Sequence, residues 1–456
     1  MKCKVNTENI NKKEFYSTLF ALIIPIAFQN LMTSAASFVD VMMLGYVNQA
    51  SLSGVSLANQ IQFILNLIFA GLTIGTTMLV SQYWGKGDKL VINEILGIAL
   101  KISICITTVF SISSYFFPKL LMQIFTSDME LIEIGASFLK IISISYIFMS
   151  ISQMYLCVMK SMERIKLSVF ISSLSLLLNI FLNAVFIFGL FGVPKMGVIG
   201  VAIATTIAKA VELACCILDS FYFKTISLKP YYIFKHNPVL FKDFLHYSMP
   251  VLGNEIIWGI GFTMYSVILG HLGGDVVAAN SVATVAKNLA TIVCYGIASG
   301  GAILLGNVLG KNQLNLAKDY ALRLFKVSLI SGIVGGIIII LLRPYILNMV
   351  SLSETAYQYL NDMLFISAYY VIGKAVNTTV ISGIFCAGGD SRFGFVCDAI
   401  DMWAFSVPLG FLCAFVFKLP VMIVYFIICL DEFVKMPFVY RHYKNYKWLK
   451  NITRNF

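Results

Sequence analysis

Residues 71–88 read GLTIGTTMLVSQYWGKGD, and 225 positions further on, residues 296–313 read GIASGGAILLGNVLGKNQ. Each stretch is apolar, carries two glycines four residues apart and runs into a Gly-Lys break. The charged, turn-prone break is where an apolar helix stops. The correspondence extends outward without a gap. Pro25 pairs with Pro250, Leu44-Gly45 with Leu269-Gly270, and Ser56 and Ala58 with Ser281 and Ala283. The matches fall on proline and glycine, which have backbone meaning, so the second half reads as a repeat of the first.

A bilayer-spanning helix needs about 20 apolar residues. The chain offers twelve such runs: 15–44, 52–83, 92–117, 130–159, 167–191 and 197–222, then 241–270, 278–309, 318–346, 355–386, 393–416 and 419–440. The widest break, 223–240, is rich in lysine and divides the chain near its midpoint. The expected organisation is an N-lobe (1–222), a cytoplasmic connecting loop (223–240), a C-lobe (241–440) and a basic cytoplasmic tail (441–456). Each half has an even number of spans, which makes the halves parallel repeats. The fold class is therefore an all-α polytopic membrane protein, with twelve transmembrane helices in two six-helix pseudo-symmetric lobes around a central cavity.

Composition agrees. Of 456 residues 59% are hydrophobic and 12% charged, whereas soluble domains carry about 25% charged residues. Most of the 33 Lys and Arg fall in alternate loops and the tails, which places both termini in the cytoplasm. The net charge of +11 is thereby a topology signal and not a nucleic-acid footprint. The first apolar run follows Lys2, Lys4, Lys12 and Lys13 and is too long for a cleaved signal peptide. The ten cysteines show no C-x-x-C spacing and read as small packing residues. No phosphate-binding glycine loop is present. His236, His246, His271 and His442 are scattered at loops and helix ends. The chain is therefore read as no enzyme, and its energy source as an ion gradient.

Several stretches carry a family resemblance: Ser37-Phe-Val-Asp-Val-Met-Met-Leu-Gly45 in the first span, Gly85-Lys-Gly-Asp88 after the second, and Asn179-Ile-Phe-Leu-Asn183 with Ile187-Phe-Gly189 in the fifth. Pro194-Lys-Met-Gly-Val-Ile-Gly200 with Ala204-Thr205, Ala387-Gly-Gly-Asp390, and Asp431-Glu432 with Lys435 follow. In this order and spacing the chain resembles the MATE (multidrug and toxic compound extrusion) transporters over essentially its whole length. The resemblance implies a cation-coupled antiporter that exports amphipathic, often cationic organic molecules. It implies a bacterial cytoplasmic (inner) membrane location, small organic substrates and the lipid bilayer as partners, and a monomer that binds no nucleic acid. No cofactor is expected beyond the coupling ion, H⁺ or Na⁺.

Ionisable groups at membrane depth need a partner or a function. Asp40 lies among Phe38, Val39, Val41, Met42 and Met43, and its repeat counterpart is Tyr265, so this carboxylate belongs to one lobe only. It can carry a proton or hold Na⁺; the alternative is a boundary aspartate facing water near Gly45. Asn179 and Asn183 are four apart and share a face, able either to bridge to Asp40 or to serve as interhelical packing amides. Thr205 and Thr206 can complete a ligand shell. In MATE proteins the aspartate at this motif position belongs to the N-lobe cation site. Some branches also place an aspartate where this chain has Asn183.

In the second half, Glu255 follows Pro250 and Asn254 and precedes Trp258, a pairing suited to an organic cation. Lys287 and Lys374 are the expected ion-pair partners of Glu255. The NorM branch has an acidic residue in the tenth span, where this chain reads Lys374-Ala-Val-Asn377. Glu255, Trp258, Lys287, Lys374 and Asn377 are thus a substrate site, a second coupling site or a structural salt bridge. Asp398 and Asp401 share a face and are expected to pair with Lys374 or near Arg392. Asp431, Glu432 and Lys435 read as a local salt-bridge cluster. The rival reading is a flippase of lipid-linked saccharides from the same superfamily.

Overall fold

The computed structural model describes residues 2–223, 226, 228–235, 237–350 and 352–455, with side chains from Lys12 onward except that of Phe223. Lys2, Lys4, Lys224 and His236 therefore contribute no described side chain. Among the described residues the structure is helical without strands. Seven helices precede the midpoint: α1 (Lys2–Gly45), α2 (Gln49–Lys86), α3 (Lys89–Phe116), α4 (Pro118–Gln123), α5 (Met129–Ser161), α6 (Ile165–Phe188) and α7 (Gly197–Phe223). Then come α8 (Pro230–Phe234), α9 (Pro238–Gly270), α10 (Gly274–Gly310), α11 (Leu314–Met349), α12 (Glu354–Thr378), α13 (Ser391–Ile400) and α14 (Val407–Phe411). The chain ends in α15 (Val421–Ile428), α16 (Asp431–Val434) and α17 (Met436–Lys444). Among the described residues, eleven helical segments are long and apolar enough to cross a membrane.

Helix boundaries keep the repeat. α1 and α9 end at Gly45 and Gly270, α2 and α10 begin at Gln49 and Gly274, and α3 and α11 begin at Lys89 and Leu314. Each pair is 225 residues apart. The Gly-Lys breaks are built the same way in both halves. Gly87 closes α2 with φ of 86°, and its counterpart Asn312 has φ of 59°. Asparagine is among the few non-glycine residues that tolerate this left-handed region. Asp88 then accepts from the Val91 backbone N–H at 3.3 Å and starts α3.

The chain forms two compact units, residues 1–27 with 247–456, and residues 28–246. The expected lobe of residues 1–222 thus differs at its start, because residues 1–27 cluster with the second half. Phe15 and Leu19 are fully buried, and the Phe15 ring lies 4.7 Å from that of Tyr320 on α11. Gly296 and Gly300 on α10 let α1 come close: a Cβ at either would stand 3.3–3.4 Å from Leu22 or Ile23. The division follows Pro25, which cannot donate to the carbonyl one turn back.

The expected connecting loop is more ordered than its lysine content suggests. α8 sits against α3, where Gly97 leaves no room for a side chain; a Cβ there would lie 2.1 Å from the Tyr232 carbonyl oxygen. Glu94 accepts from both Lys235 and Asn237. Its carboxylate holds the Lys235 ammonium above the ordinary lysine range.

Three expected spans are irregular, the tenth only in a π-helical stretch at Thr379–Phe385. The eleventh runs through π-helical turns at Asp401–Ser406 and Leu412–Val416. Pro408 removes the donor to the Ala404 carbonyl, a recognised cause of such widening. The twelfth, expected over 419–440, is α15, α16 and α17 in succession and not one helix. Asp431, Glu432 and Lys435 turn inward there, all at most 6% exposed, and Pro437 opens α17.

Candidate functional site

In the unit of residues 28–246, four side chains from three helices make one chain of hydrogen bonds. Thr205 on α7 donates to the Val201 carbonyl of its own helix at 2.9 Å, which leaves its oxygen to accept from Asn179 Nδ2 at 3.1 Å. Asn179 Oδ1 accepts from Asn183 Nδ2 at 3.4 Å, and the same amide donates to Asp40 Oδ1 at 2.7 Å. The four-residue spacing on α6 is what lets the two amides stack along one face. Asn183 is thus the one donor of the chain to Asp40, while the Asn179 amide points the other way, to Thr205, and fixes the Asn183 side chain through its own Oδ1. Asn183 is fully buried, and its own Oδ1 has no partner.

Asp40 is half-buried, and among the described residues no basic group forms an ion pair with it. Asp40, Asn179 and Thr205 line a cavity of about 400 Å³. Thr206 stands apart from this chain: its hydroxyl donates to the Ala202 carbonyl at 2.8 Å. Thr205 is therefore the hydroxyl that the fold brings to the amides.

The other unit holds a denser polar core. Lys374 pairs with Glu432 at 3.2 Å, and Lys435 pairs with Asp398 at 2.9 Å and with Glu432 at 3.1 Å. Asn377 Nδ2 donates to the Glu432 backbone carbonyl at 2.6 Å and to its Oε2 at 2.8 Å. Asn254 Nδ2 donates to Asp398 at 3.0 Å. Glu255, Trp258, Lys374 and Asn377 line a small cavity of about 80 Å³ with Tyr295 and Asp398.

Three expected pairings are corrected. Lys374 gives its ion pair to Glu432 and lies over the Trp258 ring, 5.0 Å from its centroid. Lys287 lies over the rings of Tyr370 and Tyr425, at 5.2 and 5.3 Å. Neither lysine is ion-paired with Glu255, because α16 carries Glu432 inward to take Lys374. Asp398 pairs with Lys435 and not with Lys374 or Arg392, and Asp401 leaves Oδ1 buried without a partner. The 431–435 cluster is local only in its Glu432–Lys435 pair and otherwise ties three helical segments together.

Sequence reasoning missed two further features of the unit of residues 28–246. Arg164 grips Asp219 with both guanidinium nitrogens, at 3.1 and 2.7 Å, while Tyr155 donates to it at 2.7 Å. Lys209 pairs with Glu212 at 2.9 Å, and Ser152 donates to the same carboxylate at 2.7 Å. The Arg164–Asp219 grip joins the start of α6 to α7, which spacing along one helix does not reveal, whereas Lys209 and Glu212 are three apart on α7 and their spacing was the signal.

The MatE family model matches residues 25–185 and again 250–412. The two matches begin at Pro25 and Pro250, the first pair of the internal repeat. The chain belongs to the MatE family.

Among its relatives, the uncharacterized transporter YisQ of Bacillus subtilis is 22% identical over 438 residues, covering 95% of each chain. A probable multidrug resistance protein NorM of Bacillus cereus is 24% identical over 399 residues, 86% of this chain and 87% of NorM. The crystal structure of the Vibrio cholerae MATE transporter VcmN superposes with a TM-score of 0.87 at 16% identity, covering 96% of this chain and 99% of VcmN. The fold is therefore that of a MATE transporter. This MatE chain is a multi-pass membrane protein of a transporter family, not an enzyme.

Proposed function

We propose that this MatE protein is a secondary antiporter that exports amphipathic, cationic organic compounds in exchange for H⁺ or Na⁺ by alternating access. The observation that carries the reading is Asp40: a carboxylate with no cation of its own, at the wall of a cavity of about 400 Å³, accepting from Asn183, which is itself bonded to Asn179. Such a group binds one positive charge at a time. A proton or a Na⁺ ion and an organic cation then compete for it, which is the requirement for exchange. When the ion arrives, the bound organic cation loses its counter-charge and leaves. Asn183, Asn179 and Thr205 hold the carboxylate in place and can turn their oxygens toward a hard cation. Glu255, Trp258, Lys374 and Asn377 line the second, smaller cavity, where Glu255 is the acid outside the ion pairs; Lys287 over its two tyrosines belongs to the frame of the same unit.

Relatives bearing the name multidrug resistance protein support the exporter reading. The lysine and arginine bias supports cytoplasmic termini in the cytoplasmic membrane. We take the protein to act as a monomer, with no cofactor and no nucleic-acid partner. The cavity's one lysine, Lys209, is already neutralised by Glu212, which argues against a pyrophosphate-linked saccharide as the cargo. The test is uptake of a panel of organic cations into proteoliposomes under an imposed gradient. Gradient-driven movement of any member is the expected result. Movement of none, together with translocation of a lipid-linked saccharide, would replace the exporter by the flippase.

A further inference from the structure

The cavity beside Asp40 has a lining that ion exchange alone does not require. Asn59, Gln62 and Asn66 on α2 line it, and so does Gln153 on α5. Spacings of three and four put the three α2 residues on one face of an otherwise apolar helix. Among the described residues none of these four carboxamides hydrogen-bonds to the protein, and all are exposed or half-buried. A carboxamide facing hydrocarbon is strongly disfavoured. Four of them kept free on one cavity wall are available to whatever fills it.

The charge and ring content of the wall narrow the ligand. Asp40 is unpaired, whereas Lys209 is bound to Glu212 at 2.9 Å, so one negative charge is left to be met. Aromatic surface comes only from Phe63 and Phe138. Flat ring cations are held by aromatic faces, and this wall sets five carboxamides, Asn179 included, among aliphatic side chains and two phenylalanines. Each carboxamide presents donor and acceptor together, which matches hydroxyl and amide groups on a ligand. A ligand without them leaves dehydrated amides unpaired, and sites built for hydrogen bonding discriminate strongly against such analogues.

We infer that this cavity takes an organic monocation bearing several hydroxyl or amide groups, of the amino-sugar, aminonucleoside or short-peptide kind, in preference to flat apolar ring cations. The inference rests on the exporter reading and deepens it. Its test uses the full-length protein in proteoliposomes, with puromycin as an aminonucleoside cation and ethidium as a flat one. Wild-type protein is expected to bind puromycin at least about tenfold more tightly than ethidium and to move it under a gradient. Gln62→Leu and Asn66→Leu should each shift the puromycin-to-ethidium affinity ratio about tenfold toward ethidium. Both exchange a polar for an apolar group on an exposed helix face, and Gln153→Met probes the same wall from another helix should either fail to fold. Ethidium bound as tightly as puromycin, or ratios left unmoved in all three variants, would overturn the inference and leave the exporter standing. Movement of no cation under either gradient would overturn the exporter reading, and this inference with it.

Discussion

Both units hold buried ion pairs, Arg164–Asp219 and Lys209–Glu212 in one and Lys374–Glu432 and Lys435–Asp398 in the other, but their cavities differ. In residues 28–246 one aspartate faces a cavity of about 400 Å³ with no cation against it, held only by an amide. In the other unit Lys374 and Lys435 sit between Glu432 and Asp398, and the cavity they line is about 80 Å³. A buried ion pair is satisfied and rigid, and removing one member strands the other. An unpaired half-buried acid is available for binding instead. The difference separates the charges that hold this fold from Asp40, the charge proposed to exchange.

Perturbing the ion pairs of Lys435 should cost most. Lys435→Ala strands Asp398, leaves Glu432 with Lys374 as its one cation, and should lower stability by about 3–5 kcal/mol, read as loss of the monodisperse peak or of thermal stability in detergent. Gly388→Ala comes next. A Cβ there would stand 1.5 Å from the Trp448 carbonyl oxygen, so the tail must move, at about 1–3 kcal/mol; exposure of Trp448 by fluorescence quenching reports it. Asp40→Asn should change stability by no more than about 1 kcal/mol, because one hydrogen bond to a half-exposed group is at stake. A melting shift as large as that of Lys435→Ala would erase the contrast between the units. Smallest of all is Lys119→Ala. Its pair with Glu133 is 61% and 67% exposed, and the expected change is below about 1 kcal/mol, close to the error of the melt.

The fold was legible because the repeat is written in residues with few substitutes. Pro25 and Pro250, Gly45 and Gly270, and the Gly-Lys breaks mark helix ends and close approaches, and the structure keeps all of them at one offset. The Asp40 chain was legible for a similar reason: two asparagines four apart on an apolar helix have few partners to reach. The pairing of Lys374 was not. Which acid meets it depends on α16 turning Glu432 inward after the break at Cys429-Leu430, and periodicity within one helix carries no information on a neighbour's rotation. Nor does an apolar run announce that residues 1–27 pack with the distant half. That follows from Phe15 meeting Tyr320 on α11 and Leu22 meeting Gly300 on α10, contacts across 305 and 278 positions.

The central claim is that Asp40 is the exchanging charge. It is tested most directly by efflux of an organic cation from proteoliposomes under a pH gradient or a Na⁺ gradient, imposed one at a time, for the wild type and for Asp40→Asn. The account predicts efflux by the wild type under at least one gradient, and its loss by about 100-fold or more in Asp40→Asn with the melting temperature preserved. Near-normal gradient-driven efflux by Asp40→Asn, together with its loss in Glu255→Gln, would contradict the claim and move the exchange to the other unit.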